Sequence, residues 1–234
     1  MTVVSGPGPG AGPAPGSGPA SQLVVVAAPG WDDSVGALRR FARRPGPAGA
    51  GERAGEPGGS LPWDRFWEQV DEESWPVRLG RHGLAEGRGL GGHPGAAPTT
   101  KREGDGRTPA GRFLVGLGFG RPPYRSLAEG ERWDEDPASP TYNRLVIDPS
   151  RRSDPLLARQ VVIGHNAAPD TLPGAGSAIL FHEWRDGGAV PTAGCVAMSA
   201  AHLDALMGWL DPRAQPQALI GIVSALTMWW GGQQ

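Results

Sequence analysis

Apolar side chains in this chain come in short runs, and nearly every run is stopped by turn-forming residues. Gln22-Leu23-Val24-Val25-Val26-Ala27-Ala28 halts at Pro29-Gly30, and Leu145-Val146-Ile147, Val161-Val162-Ile163, Ala178-Ile179-Leu180-Phe181, Val196-Ala197-Met198 and Ala218 to Val223 are equally brief. Runs of this length suit strands, because a helix needs a longer stretch of 3.6-residue periodicity to bury one face. Arg112 to Leu117 alternates, with Phe113, Val115 and Leu117 on one side, as a half-buried strand does. Trp75 to Gly80 also reads as extended. One helix is expected late, where Ser199 caps a run carrying Leu203, Leu206, Met207 and Leu210 on one face and ended by Asp211-Pro212. Two earlier segments also have helical spacing. After Asp32-Asp33-Ser34, Val35, Leu38, Phe41 and Ala42 would face inward and Arg39, Arg40, Arg43 and Arg44 outward; further on, Trp63, Phe66, Trp67 and Val70 recur at similar intervals. The balance predicts a mostly β domain with a few short helices.

Composition narrows the possibilities. The chain has 234 residues, 38% of them hydrophobic, enough for one good core. Its net charge of -2 offers no electrostatic footprint for nucleic acid. There are 38 Gly and 25 Pro, and one Lys among 22 basic residues, a bias that reflects a GC-rich genome and lowers the weight of any single glycine or proline. Residues 1–21 are dominated by Gly and Pro and are expected to be disordered, since they offer too little apolar surface to offset ordering entropy. No basic n-region or apolar h-region marks a secretory signal there. A single domain over 22–223 and a tail over 224–234 are expected, with Pro45 to Ser60 as an internal loop. The apolar run from Ala218 spans thirteen residues, too few to cross a bilayer, and membrane contact is not expected beyond Trp229 and Trp230, which suit an interface. His82, His93 and His165 match no zinc spacing, and no metal is expected. Gly116-Leu117-Gly118-Phe119-Gly120 fits neither a dinucleotide fingerprint nor a P-loop and reads as a close turn. Core packing is the expected role of most tryptophans.

The chemistry concentrates late in the chain. Cys195 is the only cysteine, and His182 precedes it by thirteen positions. A thiol attacks acyl carbon as thiolate, so an imidazole has to take its proton and return it to a leaving amine. In an extended segment His182 shares a face with Leu180 and Trp184, while Ile179, Phe181 and Glu183 point the other way. A backbone carbonyl is therefore expected to orient His182 in place of Glu183. Gly194, lacking a side chain, lets the backbone amides of Gly194 and Cys195 turn toward an oxyanion, and Thr192 is placed to hydrogen-bond near the thiol. The competing reading is a buried core cysteine and a satisfied core histidine. The order His before Cys also differs from a papain-like arrangement.

The context of these residues resembles the catalytic domain of the L,D-transpeptidases, the YkuD-like family that remodels bacterial peptidoglycan. Members carry a histidine ending one strand and then a Ser/Thr-x-Gly-Cys turn, matched by His182, Thr192, Gly194 and Cys195. Upstream, Gly104-Asp105-Gly106-Arg107-Thr108-Pro109-Ala110-Gly111-Arg112-Phe113 resembles the family's Thr-Pro-x-Gly segment leading into a core strand. The resemblance spans roughly Gln22 to Val223 and is concentrated between Gly104 and Met198. Two departures are visible. Ala193 stands where many members have a second histidine, and the interval from His182 to Cys195 is shorter than in better known members.

The resemblance implies a β-sandwich of mixed sheets and cysteine-dependent acyl transfer on peptidoglycan stem peptides, with a 3,3 cross-link formed, D-alanine released, no cofactor, and an extracytoplasmic setting. It assigns Cys195 as nucleophile and His182 as base. Tyr142, Asn143 and Arg144 resemble a segment of a family branch that would contact the stem peptide, Arg144 through a carboxylate, or would anchor a loop. His165 ends a strand where relatives often have tyrosine, and is a candidate for oxyanion support or substrate binding. Water or a protein lysine as acceptor, a non-catalytic wall-binding module, and a cytoplasmic thiol enzyme on another peptide remain as alternatives.

Overall fold

A computed structural model describes residues 2–3, 20–44, 67–90, 97–116, 124–125, 130–148, 150, 155–157 and 159–230. In chain order its strands and α-helices are β1 (Thr2–Val3), β2 (Gln22–Ala28), β3 (Val35–Arg43), β4 (Trp67–Gln69), β5 (Trp75–Arg78), β6 (Leu84–Glu86), β7 (Thr108–Leu114), β8 (Tyr124–Arg125), β9 (Glu131–Trp133), β10 (Leu145–Ile147), β11 (Gln160–Val162), β12 (Leu180–Glu183), β13 (Val196–Met198), α1 (Ala200–Trp209), β14 (Gln217–Ile222) and α2 (Val223–Trp230). The domain is mostly strand with a few short helices, as the short apolar runs predict.

The strands form one long mixed sheet in the order β6-β7-β14-β2-β3-β5-β13-β12-β11-β8, with β4 added beside β3. The β6/β7, β14/β2 and β12/β13 pairs are parallel. A bridge between Val115 and Ile163 ties the end of β7 to the end of β11, so the sheet curls back on itself. Inside the curl lies the main core, built from Val24, Val26, Leu38, Val77, Phe113, Val161, Phe181, Val196, Met198 and Ile220, with Leu203, Leu206 and Leu210 of the α1 region closing it. Ser199 caps α1 by accepting from the His202 N–H. On the outer face of β2, β3 and β14, Leu226 of α2 packs with Leu23, Val25, Phe41 and Leu219. A third cluster covers the outer face of β11 and β12, where Trp133, Leu145, Ala178 and Leu180 pack with Leu157, Val162 and Cys195. Residues β9 and β10 pair with each other and with β1 in a separate small sheet.

Several sequence expectations change. The segment read as a helix after Asp33 is β3, paired along its length with β2. A spacing of three places Leu38 and Phe41 on opposite faces of a strand, and both faces are covered here, one by the main core and one by the α2 cluster. Arg40, expected outward, is only 9% exposed. Its guanidinium pairs with Asp71, donates to the Ala205 carbonyl at 2.8 Å, and lies over the rings of Trp75 and Trp209. Trp67 is in β4 instead of a helix, and Trp63 and Phe66 lie outside the described residues, as do His93, the 45–60 loop and Gly118 to Gly120. The strand expected at Arg112 begins earlier, at Thr108, and the tail expected after Val223 begins as α2. Of the segment expected to be disordered, Thr2 and Val3 pair with Ile147 and Val146; residues 4–19 lie outside the described residues.

Candidate active site

Strands β12 and β13 set the site. They run parallel, with Phe181 beside Val196 and His182 beside Ala197. Phe181, Val196 and Met198 point into the main core. Alternation then turns Leu180, His182 and Cys195 to the outer face, and Cys195 packs there against the cluster containing Leu180 and Ala178. Cys195 is thus outside the main core, on the same face as His182 and on the neighbouring strand. His182 Nδ1 lies 2.7 Å from the Glu183 carbonyl oxygen. A carbonyl only accepts, so Nδ1 carries the proton and Nε2 is the basic nitrogen. The Glu183 carboxylate turns away and pairs with Arg159, which also holds Asp204.

The turn before β13 is held from two sides. The Thr192 hydroxyl donates to the Cys195 carbonyl at 2.7 Å and accepts the Gly194 N–H at 3.0 Å. Thr108, at the head of β7, donates to the same Cys195 carbonyl at 3.2 Å and accepts the Gly80 N–H at 2.8 Å. The two motifs that are far apart in sequence therefore meet on one backbone oxygen. Gly194 has φ +150, and a Cβ there would stand 2.9 Å from the Arg107 carbonyl oxygen, so only glycine lets the turn lie against β7. The structure also separates the two expected oxyanion donors. The Gly194 amide is committed to Thr192, whereas among the described residues the Cys195 N–H has no acceptor.

The thiol rests on Ala178, donating to its carbonyl at 3.2 Å. Burial of the thiol pushes its pKa up to about 12; a backbone hydrogen bond from Leu180 and the charge of Lys101 oppose that rise, and the charge of Glu135 adds to it. Ala178 has a positive φ of 52 and is held in place by Asn143, whose Oδ1 accepts the Ala178 N–H at 2.9 Å. Asn143 Nδ2 donates to the carbonyls of Asn166 at 2.8 Å and His165 at 3.3 Å. Of the two roles open to the Tyr142-Asn143-Arg144 segment, Asn143 has that of a loop anchor.

The remaining candidates are distributed around this frame. Tyr142 is buried; its hydroxyl donates to Glu103 and accepts the Gly176 N–H at 3.0 Å. Burial and then the Glu103 hydrogen bond push its pKa well above the usual phenol value. That is the geometry of a loop anchor. Arg144 is exposed. His165 is 2% exposed, accepts the Arg88 N–H at Nδ1 and donates from Nε2 to the Ala175 carbonyl at 2.8 Å. Both of its ring nitrogens are committed to backbone, and burial lowers its pKa to about 4. It braces the loop that carries Ala178 and is not turned toward Cys195. The only lysine, Lys101, is buried against Asp105 at 2.6 Å. Burial pushes the Asp105 carboxyl up, but Lys101 and the amides of Arg102 and Arg107 outweigh it and hold the carboxyl below the usual range. This knot shapes the loop that delivers Thr108.

Among the described residues no group of three or more His, Cys, Asp or Glu is arranged to hold a metal ion, and no helix is long and apolar enough to cross a membrane. The curled mixed sheet thus presents Cys195 and His182 together on one outer face, at neighbouring strands. A family model, the YkuD L,D-transpeptidase catalytic domain, matches residues 66–218, and the chain belongs to this family of cell-wall enzymes. Neither a curated protein nor a solved structure matches the chain.

Proposed function

We propose that the protein transfers acyl groups between peptidoglycan stem peptides, using Cys195 as nucleophile and His182 as base, forming 3,3 cross-links outside the cytoplasm. The observation that carries this reading is the placement of Cys195 and His182 on one face of adjacent strands, beyond the main core, with Thr192 and Thr108 both pinning the Cys195 carbonyl.

The chemistry follows from the atoms available. The Cys195 thiol leaves the Ala178 carbonyl and passes its proton to His182 Nε2, and the sulfur attacks the carbonyl carbon of the third stem residue. The negative charge that develops on oxygen is received by the Cys195 N–H. As the tetrahedral centre collapses, the C–N bond to D-alanine breaks and His182 Nε2 returns the proton to the departing amine. A thioester remains on Cys195. The amine of a neighbouring stem then attacks this thioester, its proton returns through His182 to sulfur, and the new amide is released. Thr192 keeps the turn in shape, Gly194 allows it, Tyr142 and His165 brace the surrounding loops, and Arg144 meets a stem carboxylate at the surface.

Intact-protein mass spectrometry after brief exposure to a disaccharide-tetrapeptide tests the reading. The wild type is expected to gain the mass of the donor minus alanine, while Cys195→Ala and His182→Ala gain none. A wild type that forms no adduct and releases no D-alanine would overturn it. An adduct that decays without an added amine acceptor would assign water as the acceptor and make the enzyme a carboxypeptidase.

A further inference from the structure

The register of β11, β12 and β13 sets Gln160, His182 and Ala197 in one row across three neighbouring strands. Residues in such a row share a face. Gln160 therefore stands beside His182 on the outer face, one strand beyond it on the side opposite Cys195. It is only 4% exposed, and its Oε1 accepts the Trp133 indole N–H at 3.2 Å. An indole N–H is a donor and nothing else, so this bond decides which end of the amide is oxygen. The Nε2 group, with two N–H donors, is turned away from Trp133. Among the described residues it has no acceptor, and it is not one of the fully buried atoms lacking a partner. The residue's carbon frame is packed, its orientation is set, and its donor end is left uncommitted.

We propose that Gln160 Nε2 donates to the carboxylate of the departing amino acid and so selects donor peptides that end in a free carboxylate. This rests on the acyl-transfer reading above. In that reaction the carbonyl carbon sits at Cys195 and the scissile nitrogen at His182. Continuing across the sheet in the same direction, the next side chain is Gln160. In a departing α-amino acid the carboxylate is attached to the carbon that bears the nitrogen, and one strand spacing of ~4.8 Å separates the rows of side chains. The order Cys195, His182, Gln160 thus matches the order acyl carbon, leaving nitrogen, leaving carboxylate. A neutral amide donor recognises the carboxylate without adding a charge beside His182, which has to become charged and neutral again twice in each turnover.

Two donors separate the leaving group from everything else: a disaccharide-tetrapeptide ending in D-alanine and the same compound ending in D-alanine amide. Both give an identical acyl-enzyme, so intact-mass kinetics compare only how the departing residue is recognised. The wild type is expected to acylate from the carboxylate donor about 10- to 100-fold faster than from the amide, the range of a charge-assisted hydrogen bond. Gln160→Glu keeps an oxygen for the Trp133 indole, removes both donors, and is expected to reverse that preference. Gln160→Met adds no charge and is expected to bring the two rates together. An unchanged ratio in Gln160→Glu, or an equal loss on both donors, overturns the proposal. Failure of the wild type to acylate from either donor would instead overturn the acyl-transfer reading itself.

Discussion

The Cys195 thiol donates to the carbonyl oxygen of Ala178, 3.2 Å away, so in the free protein this side chain rests as a neutral thiol. With its pKa pushed up to about 12 by burial, the thiolate population at pH 8 should be about a thousandfold below that of an ordinary cysteine. Iodoacetamide labelling followed by mass spectrometry should therefore be slow at pH 8 and rise about tenfold per pH unit. Fast, pH-independent labelling would show that the thiolate already exists before substrate binds.

Asn143 holds the oxygen on which that thiol rests. Asn143→Ala would leave the Ala178 N–H and the Asn166 and His165 carbonyls without their partner, and would place alanine at φ +58. A loss of about 2–4 kcal/mol is expected from urea unfolding. Asn143→Asp keeps the acceptor for Ala178 but removes both donors and should fall between the two. A loss below about 1 kcal/mol for the alanine variant would show that the loop does not depend on this side chain.

The turn before β13 makes a sharper demand. Gly194→Ala would bring a methyl group to 2.9 Å from the Arg107 carbonyl oxygen at φ +150, and acyl-enzyme formation should fall by a factor of about 100 or more. Thr192→Val removes the bonds to the Cys195 carbonyl and from the Gly194 N–H together, for which about a tenfold to hundredfold fall is expected. Thr192→Ser restores the hydroxyl and should restore the rate. Equal rates for Thr192→Val and Thr192→Ser would detach the hydroxyl from catalysis.

Stability should depend on pH through His165. Burial holds this imidazole neutral and lowers its pKa to about 4, against 6.5 in the unfolded chain. The unfolded state therefore binds a proton that the folded state refuses. The stabilisation is complete above pH 6.5 and is lost as pH falls toward 4, by about 3 kcal/mol in all. Urea midpoints at pH 7 and pH 5 should differ in the wild type and differ much less in His165→Gln. An equal pH dependence in both proteins would assign the effect to the carboxylates.

Part of the fold and of the site is legible in the sequence. Short apolar runs between turn residues announced a strand-rich domain, because a two-residue period and frequent stops exclude long helices. Alternation alone put His182 on one face and Glu183 on the other, which is how they stand. The same logic misread the segment from Val35 to Phe41. Its three-residue spacing serves a helix with one buried face or a strand with two, and only the presence of α2 over the second face decides between them. Arg40 could not be placed either, because its cage of Asp71, Trp75 and Trp209 comes from segments remote in sequence.

The sequence by itself determined the residue types available for the proposed chemistry: one cysteine, a histidine upstream, and a glycine that permits the tight turn between them. Their meaning is local, carried by pKa, chirality and side-chain alternation, and so it survives without a fold. What the tertiary structure alone decided is everything that depends on strand register. It put Gln160 next to His182, joined Thr108 to the Cys195 carbonyl, committed the Gly194 amide to Thr192, and set Asn143 beneath Ala178. Each of these contacts except the Gly194 bond joins residues far apart along the chain. Such contacts arise only when the sheet curls and many weak pairings are satisfied together, and no local pattern encodes them.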